Sequence, residues 1–327
     1  MSTRGAIIVF MYRKARLIRP LLLFVAACAP ASAWWCEGHE VIALIAENHL
    51  MPAAKTAVFD LLRNQPIDPA LPRFCKDRPP DPMADASTWA DDVKRIEQTA
   101  FWHFMDIPLG LKHGDPERYC HPVGPSMNGG ERSGCILSAL RYNLDIVRNG
   151  KESDFERAKA LRYLIHLTGD LHQPLHTTAD NDMGGNCVPI QFFSEPKPAN
   201  LHGVWDGMIL NRELATRDLN LAQYAQDLEQ RFQDRAAEWT KRGVEFDKWA
   251  WEGHKIAQKT TYGDLHPKIP VEPYDPRANC KVEAQRFGAL HFKVDDEYQA
   301  EAEPVVDEQI AKAAYRLAEM LNTIWPG

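Results

Sequence analysis

The chain has 327 residues, 45% of them hydrophobic and 25% charged, with a formal net charge of −7. That length supports one large domain or two ordinary ones, and no internal repeat or low-complexity run divides it. The acidic balance argues against a non-catalytic nucleic-acid binder, which needs a broad basic surface.

The first 33 residues read as an export signal. Arg13, Lys14, Arg16 and Arg19 form a basic stretch, residues 21–27 a short apolar core, and Ala31-Ser32-Ala33 an A-x-A cleavage site. The apolar run is too short to span a bilayer. Initiation at Met11 would give a signal of more ordinary length. Val25-Ala26-Ala27-Cys28 offers a competing reading: it resembles a bacterial lipoprotein cleavage box, and cleavage there would leave Cys28 as a lipidated terminus. Removing residues 1–33 takes away five basic and no acidic residues, so the net charge goes from −7 to −12. The expectation is a secreted or periplasmic protein whose working domain covers residues 34–327. The mature chain keeps Cys36, Cys75, Cys120, Cys135, Cys187 and Cys280. An even count in an exported chain reads as disulfides. A Cys120–Cys135 bridge would close a loop rich in Pro, Gly and Ser. No C-x-x-C occurs, which argues against a thiolate zinc site.

Most segments read as helix. Residues 40–50 carry Val41, Ile42, Ile45 and Leu50 at helical spacing, and 53–63 is a second amphipathic stretch. Residues 88–97 predict a short helix. Residues 133–148 place Ile136, Leu140, Leu144 and Val147 on one side. Residues 155–171 are apolar on more than one side, which predicts a central helix. Residues 204–212, 221–242 and 305–324 complete the helical set. The best strand candidate is 188–193, after the Gly184-Gly185 turn. Residues 195–199 and 267–276 read as Pro-rich loops, and no linker separates two domains.

The chemistry lies in a recurrent pairing. His166 and Asp170 are four apart, as are His202 and Asp206, so each pair presents an imidazole and a carboxylate on one helix face. A single such pair is more often a polar couple on a solvated face. Two pairs shift the balance, as does His166 within Tyr163-Leu164-Ile165-His166-Leu167, where an unpaired imidazole is costly to bury. His176 follows in Gln173-Pro174-Leu175-His176. His103 lies between Phe101-Trp102 and Phe104-Met105, and Asp91 closes Thr88-Trp89-Ala90-Asp91. His39 opens His39-Glu40 but lacks the second histidine of a zinc-protease motif. Trp34 follows the expected cleavage site. A free terminal residue offers an amino nitrogen and its own carbonyl, which together chelate one metal. Imidazole and carboxylate are ligands that zinc accepts.

Taken in order, Trp34-x₄-His39, Trp89-Ala90-Asp91, His103-Phe104, His166-x₃-Asp170-x₂-Gln173-Pro174-Leu175-His176, Gly184-Gly185-Asn186 and His202-x₃-Asp206 resemble the zinc-dependent single-strand nucleases of the S-one/P-one type. These are related to the bacterial zinc phospholipases C. The resemblance spans essentially the whole mature chain, including residues 309–318 of the closing helix.

It implies a mainly α, single-domain, multi-helix fold of the phospholipase C/nuclease type with a small β-hairpin and a trinuclear zinc site. Asp91, His103, His166 and Asp170 would hold one Zn²⁺. The Trp34 amino and carbonyl groups, His39 and Asp170 would hold a second, with Asp170 bridging. His176, His202 and Asp206 would hold a third, making three Zn²⁺ per chain. The implied activity is hydrolysis of single-stranded RNA and DNA, and of 3′-nucleotides, by in-line attack at phosphorus with 5′-phosphate products. Asp91, Asp170 and Lys94 would be the catalytic set, Lys94 facing the developing charge. Phe104 matches a position where a base stacks, and Asp106 one where a carboxylate meets the base edge. Gly184, Gly185 and Asn186 complete the implied substrate contacts. The chain departs from the fungal pattern at residues 177–183, which are longer, and at Gly207, where many relatives carry a larger side chain. The rival is a zinc phospholipase C, with phospholipid as main or secondary substrate. The short Trp34-to-His39 spacing and Asp206 in place of Glu favour the nuclease. A degenerate, non-catalytic zinc binder is the third reading, and no expected ligand is missing. A monomer without an obligatory protein partner is expected.

Overall fold

The computed structural model describes residues 34–76, 80–125, 130–275 and 277–327, which fall in one compact unit. The signal sequence and the Cys28 box lie outside the described residues. Helices α1 (Cys36–Asn48) and α2 (Pro52–Asn64) are followed by two short ones, α3 (Pro82–Ser87) and α4 (Trp89–Val93). α5 (Ile136–Arg148) pairs with α6 (Asp154–Leu171). α7 (Leu201–Gly203) passes through a π-helical turn, Val204–Met208, into α8 (Ile209–Arg217). α9 (Leu221–Thr240), α10 (Phe246–Ile256), α11 (Cys280–Gly288) and α12 (Asp296–Ile324) complete the helices. No described helix is long and apolar enough to cross a membrane.

Helix α6 is the post around which the rest is built, as its sequence predicts. Ser153 caps its N-terminus by accepting from the Glu156 amide at 3.2 Å, and Asp154 and Glu156 suit the positive end of the helix dipole. From Ala160 onward every residue of α6 is buried, with α1, α3, α5 and α12 packed around it. Polar side chains on such a helix cannot reach bulk water, so each needs a partner inside the protein.

Three expectations change. The helix predicted over 88–97 ends at Val93 and is divided from α3 at Thr88. At that break the carbonyls of α3 are committed elsewhere: Asp85 O accepts from Arg73 at 2.9 Å and Ser87 O from His166 at 2.6 Å. The last helix starts at Asp296 rather than 305 and contains Pro304. Both Pro304 and Ala300, whose carbonyl loses its helical donor, face solvent, where water replaces the missing bond. Helices α3, α10 and α11 have no counterpart among the predicted elements. The Trp, Gly and His of Phe246–Ile256 are indifferent helix formers, and burial of Phe246, Trp249, Ala250 and Gly253 carries that helix.

Strand content is small. β1 (Ile107–Pro108) pairs in parallel with β2 (Thr178–Ala179). β3 (Pro189–Phe192) forms the expected hairpin with β4 (Ala199–Asn200) and a parallel pair with β5 (Lys293–Val294). Disulfides join Cys36–Cys75, Cys120–Cys135 and Cys187–Cys280. The second is the bridge expected from sequence. The third ties α11 to the start of β3.

One buried carboxyl pair sits away from the clustered histidines. Glu213 of α8 faces Asp307 of α12. Arg217 holds Glu213 at 2.6 Å, while Tyr224 and Arg231 hold Asp307. Burial, then the charge of Asp307, outweigh Arg217 and push Glu213 up to about 8. A raised folded-state value means that the native protein holds this proton more tightly than the unfolded chain. The stability so gained is complete below the ordinary glutamate range and is lost as pH rises through about 8. Thermal unfolding from about pH 5 to about pH 9 should therefore show a fall in Tm that Glu213→Gln flattens. Parallel Tm profiles for the two proteins would contradict the assignment.

Candidate metal centre

Asp170 and His166 stand one turn apart on α6, both fully buried. His166 donates from Nδ1 to Ser87 O at 2.6 Å, which turns its Nε2 inward. That nitrogen lies 3.2 Å from Asp170 Oδ2 and 3.1 Å from His103 Nδ1. His103 Nδ1 is 2.9 Å from the same carboxylate oxygen. The other oxygen, Oδ1, is 3.2 Å from Nε2 of His39, whose ring stacks on His166 with centroids 4.0 Å apart. Asp170 thus stands between two groups of histidines. Asp91 Oδ1 lies 3.8 Å from both His103 and His166 and accepts from Lys94 Nζ at 2.9 Å.

A second group forms beside it. His176 donates from Nδ1 to His103 O at 2.6 Å, and His202 from Nδ1 to Gly184 O at 2.5 Å. Their Nε2 atoms face each other at 3.1 Å. Asp206 Oδ2 is 3.3 Å from His202, and its Oδ1 is 3.9 Å from His176 and accepts from Gln173 at 2.5 Å. Ligand atoms therefore gather in three sets, each within 4.8 Å: His39, His166 and Asp170; Asp91, His103 and His166; His176, His202 and Asp206.

These sets fit metal ions on their own chemistry. With both Nδ1 positions donating to carbonyls, neutral His176 and His202 turn lone pair against lone pair at 3.1 Å. Such a contact is repulsive unless a cation lies between the nitrogens. Both nitrogens of His39, Nε2 of His103 and Oδ1 of Asp170 are buried without a hydrogen-bond partner, a cost that coordination would remove. Burial holds His176 down to about 4; burial, followed by the His176 charge, holds His202 to about 3. Both rings are thus neutral and able to ligate near pH 7. Burial alone would raise Asp170, but His166 and the contacts from His103 and His39 outweigh it and keep the carboxylate ionised.

Local structure explains the placement. The segment from His103 to Leu109 runs alongside 176–179: Met105 N donates to His176 O at 2.9 Å, and Leu109 N to Ala179 O at 2.9 Å. This short parallel zipper, continued by β1 and β2, brings His103 and His176 together. Gly184 holds φ +59, and a Cβ there would meet Leu175 O at 2.5 Å. Only glycine gives a carbonyl at that point to orient His202. The π-helical turn presents Asp206, and such turns cluster at functional sites. Trp34 is buried, its indole donating to Gly169 O at 2.9 Å, while Trp35 N donates to Asp206 O at 2.7 Å. Residues 34 and 35 therefore lie between the two histidine groups.

The expected substrate residues border the same region with differing status. Phe104 is half-buried and meets Phe101 edge-on at 6.1 Å. Burial, then the charge of Asp182, pushes Asp106 up to about 6. Gly184 and Gly185 support His202 and Val188 through their carbonyls, and the Asn186 side chain donates to Met183 O at 2.8 Å. Sequence reading assigned no role to Gln173, which holds both Asp206 and the Leu175 amide. It also passed over Ser87, which acts through its main chain. Gln173 does carry a signal, since a polar residue before Pro174 is a helix cap.

The S1/P1 Nuclease family model matches residues 34–326. The chain belongs to the S1/P1 nuclease family. Among its relatives, Endonuclease 5 of Arabidopsis thaliana is 27% identical over 90% of this chain and 91% of its own length. Nuclease S1 of Aspergillus oryzae is 26% identical over 93% and 98%. Nuclease P1 of Penicillium citrinum is 26% identical over 89% and 97%. In this S1/P1 family member the carbonyl at Gly184 should govern one ion alone. Gly184→Ala is expected to lower the bound-metal count by about one per chain and to destabilise by about 1–3 kcal/mol. Metal analysis and thermal unfolding of the variant check both, and full metal content would contradict the role.

Proposed function

We propose that this chain is an exported, zinc-dependent endonuclease and 3′-nucleotidase acting on single-stranded RNA and DNA and leaving 5′-phosphates. The observation that carries it is Asp170, set between His39 on one side and His103 and His166 on the other, with a third ligand set beside them. Zinc suits an all-imidazole, carboxylate and terminal-amine donor set without thiolate. The nuclease family match favours a nucleic acid over the phospholipid alternative. Three disulfides and a family match that begins at Trp34 support export with cleavage after Ala33, leaving residues 34–327 as the mature domain.

In this reading Asp91, His103, His166 and Asp170 hold one ion, and Trp34, His39 and Asp170 a second. His176, His202 and Asp206 hold the third. Bound there, zinc supplies a nucleophile at neutral pH and charge neutralisation at phosphorus. The chain's own residues do the rest. Asp170 fixes the spacing of the first two ligand sets. Lys94, anchored on Asp91, places an ammonium where negative charge develops on the phosphate. Phe104 stacks on a base, Asp106 meets its edge, and the turn at Gly184, Gly185 and Asn186 borders the nucleotide. A duplex hides base faces and stiffens the backbone, so unpaired strands fit best.

Asp170→Asn keeps the volume and removes the shared charge. It is expected to lower kcat on single-stranded RNA about 10²–10³-fold and to reduce the zinc count. Near-normal turnover with full zinc would refute the shared-ligand role. Chelation should abolish cleavage of single strands, with zinc restoring it. Headgroup release from phosphatidylcholine without nucleotide release would reverse the substrate assignment. Extending the mature protein by one residue before Trp34 should lower zinc affinity about 10–100-fold, as measured by competition with a chelating dye. Unchanged affinity would remove the terminal amine from the ligand set.

A further inference from the structure

Trp35 lies flat on the turn that carries Asp206. A Cβ built on Gly207 would sit 2.5 Å from its Cε3 and 2.6 Å from its Cγ, and no further from Cδ2. Near-equal approach to atoms at the heart of the indole places the ring face directly over the Gly207 α-carbon. Gly203 lies under the far edge, 3.9 Å from Cζ2 by the same construction. The backbone is pinned there by Trp35 N donating to Asp206 O at 2.7 Å. Only a residue without a side chain at 207 permits this seat.

The ring is not spent on the core. Trp35 is half-buried and stands outside the apolar cluster that takes in Trp34 and Trp205. Trp34, Trp102 and Trp205 each commit the indole N–H to an acceptor within the protein. Among the described residues, the Trp35 indole has no such bond. One face is taken by glycine backbone, so what remains accessible is the opposite face and the rim. An aromatic plane held rigidly on main chain loses little side-chain entropy when a second plane stacks on it.

Its position gives it a use. Phe104 adjoins His103, whose carbonyl holds His176, and so lies on that flank of the ligand sets. Trp35 meets the same set at Asp206, whose carbonyl accepts from Trp35 N, so the two aromatics adjoin different ligands of one set. A phosphodiester linkage carries one base on each side of the phosphate. We propose that Trp35 is a second stacking platform, binding the base on the other side of the scissile phosphate from the base on Phe104. This rests on the nuclease reading above. It makes the minimal well-bound substrate a dinucleotide rather than a mononucleotide.

A substrate pair tests it. A 3′-mononucleotide carries one base, on the leaving-oxygen side, whereas a dinucleoside monophosphate carries two. Trp35→Ala should raise KM for the dinucleotide about 5- to 100-fold, the range expected for loss of one base–aromatic stack. KM for the 3′-mononucleotide and the zinc count should stay within about twofold. Trp35→Phe, which restores a flat ring over Gly207, should recover most of the dinucleotide affinity. Should Trp35→Ala fold poorly, Gly207→Ala, which must lift the ring, gives the same split between substrates. An unchanged dinucleotide KM, or an equal loss on both substrates, overturns the platform. Wild-type protein that cleaves neither substrate overturns the nuclease reading and this inference with it.

Discussion

Three imidazoles in the centre turn one nitrogen to a main-chain carbonyl and the other inward. Ser87, His103 and Gly184 supply those carbonyls to His166, His176 and His202. This constraint fixes the orientation of each ring and aims its other nitrogen at the centre. The inward atoms then crowd against one another and against two carboxylates, an arrangement that costs energy in an empty site. The rest of the fold holds that crowding in place. The buried length of α6, the parallel zipper of 103–109 against 176–179, and the glycine at 184 each remove a way for it to relax. If these sets hold ions, as proposed above, stability given up at the centre would be released on binding, which would couple metal content to folding.

The electrostatics follow from the same design. With residues 1–33 removed, as proposed above, the chain would carry a net charge of −12, an acidic balance for a protein that gathers a polyanion. Under the function proposed above, attraction for phosphate would come from the centre itself, where bound cations and Lys94 would concentrate positive charge in a low-dielectric pocket. Aromatic surface at Phe104 and Trp35 suits that arrangement, because stacking needs no charge and tolerates any base. Affinity built this way depends less on salt than binding through many lysines and arginines.

Membership of the S1/P1 family does not dictate every feature. The Trp35–Gly207 contact pairs a large residue with the smallest one, and neither makes sense without the other. The 177–183 segment carries Asp182, whose carboxylate accepts from Tyr262 at 2.8 Å and whose charge adds to the burial that lifts Asp106.

Much of the centre was legible in the residue order. Imidazole and carboxylate four apart, inside an apolar helix, can satisfy each other only by facing a shared cavity, and that is a local property of α6. The central helix, the amphipathic helix read over 133–148 and found at Ile136–Arg148, the 188–193 strand and the Cys120–Cys135 bridge follow from spacing and turn chemistry of the same local kind. What spacing does not carry is the commitment of main-chain atoms. The break at Thr88 arises because Arg73 and His166 take carbonyls that helix continuation would need. The extension of α12 through Pro304 depends on which face meets water, and α10 depends on a groove waiting for its tryptophan. Likewise Gln173 and the carbonyls at Ser87 and Gly184 act through neighbours up to 79 residues away. Sequence determined which groups had to meet, because burial leaves them no other partner; tertiary structure alone decided which backbone atoms aim them, since any residue type offers a carbonyl.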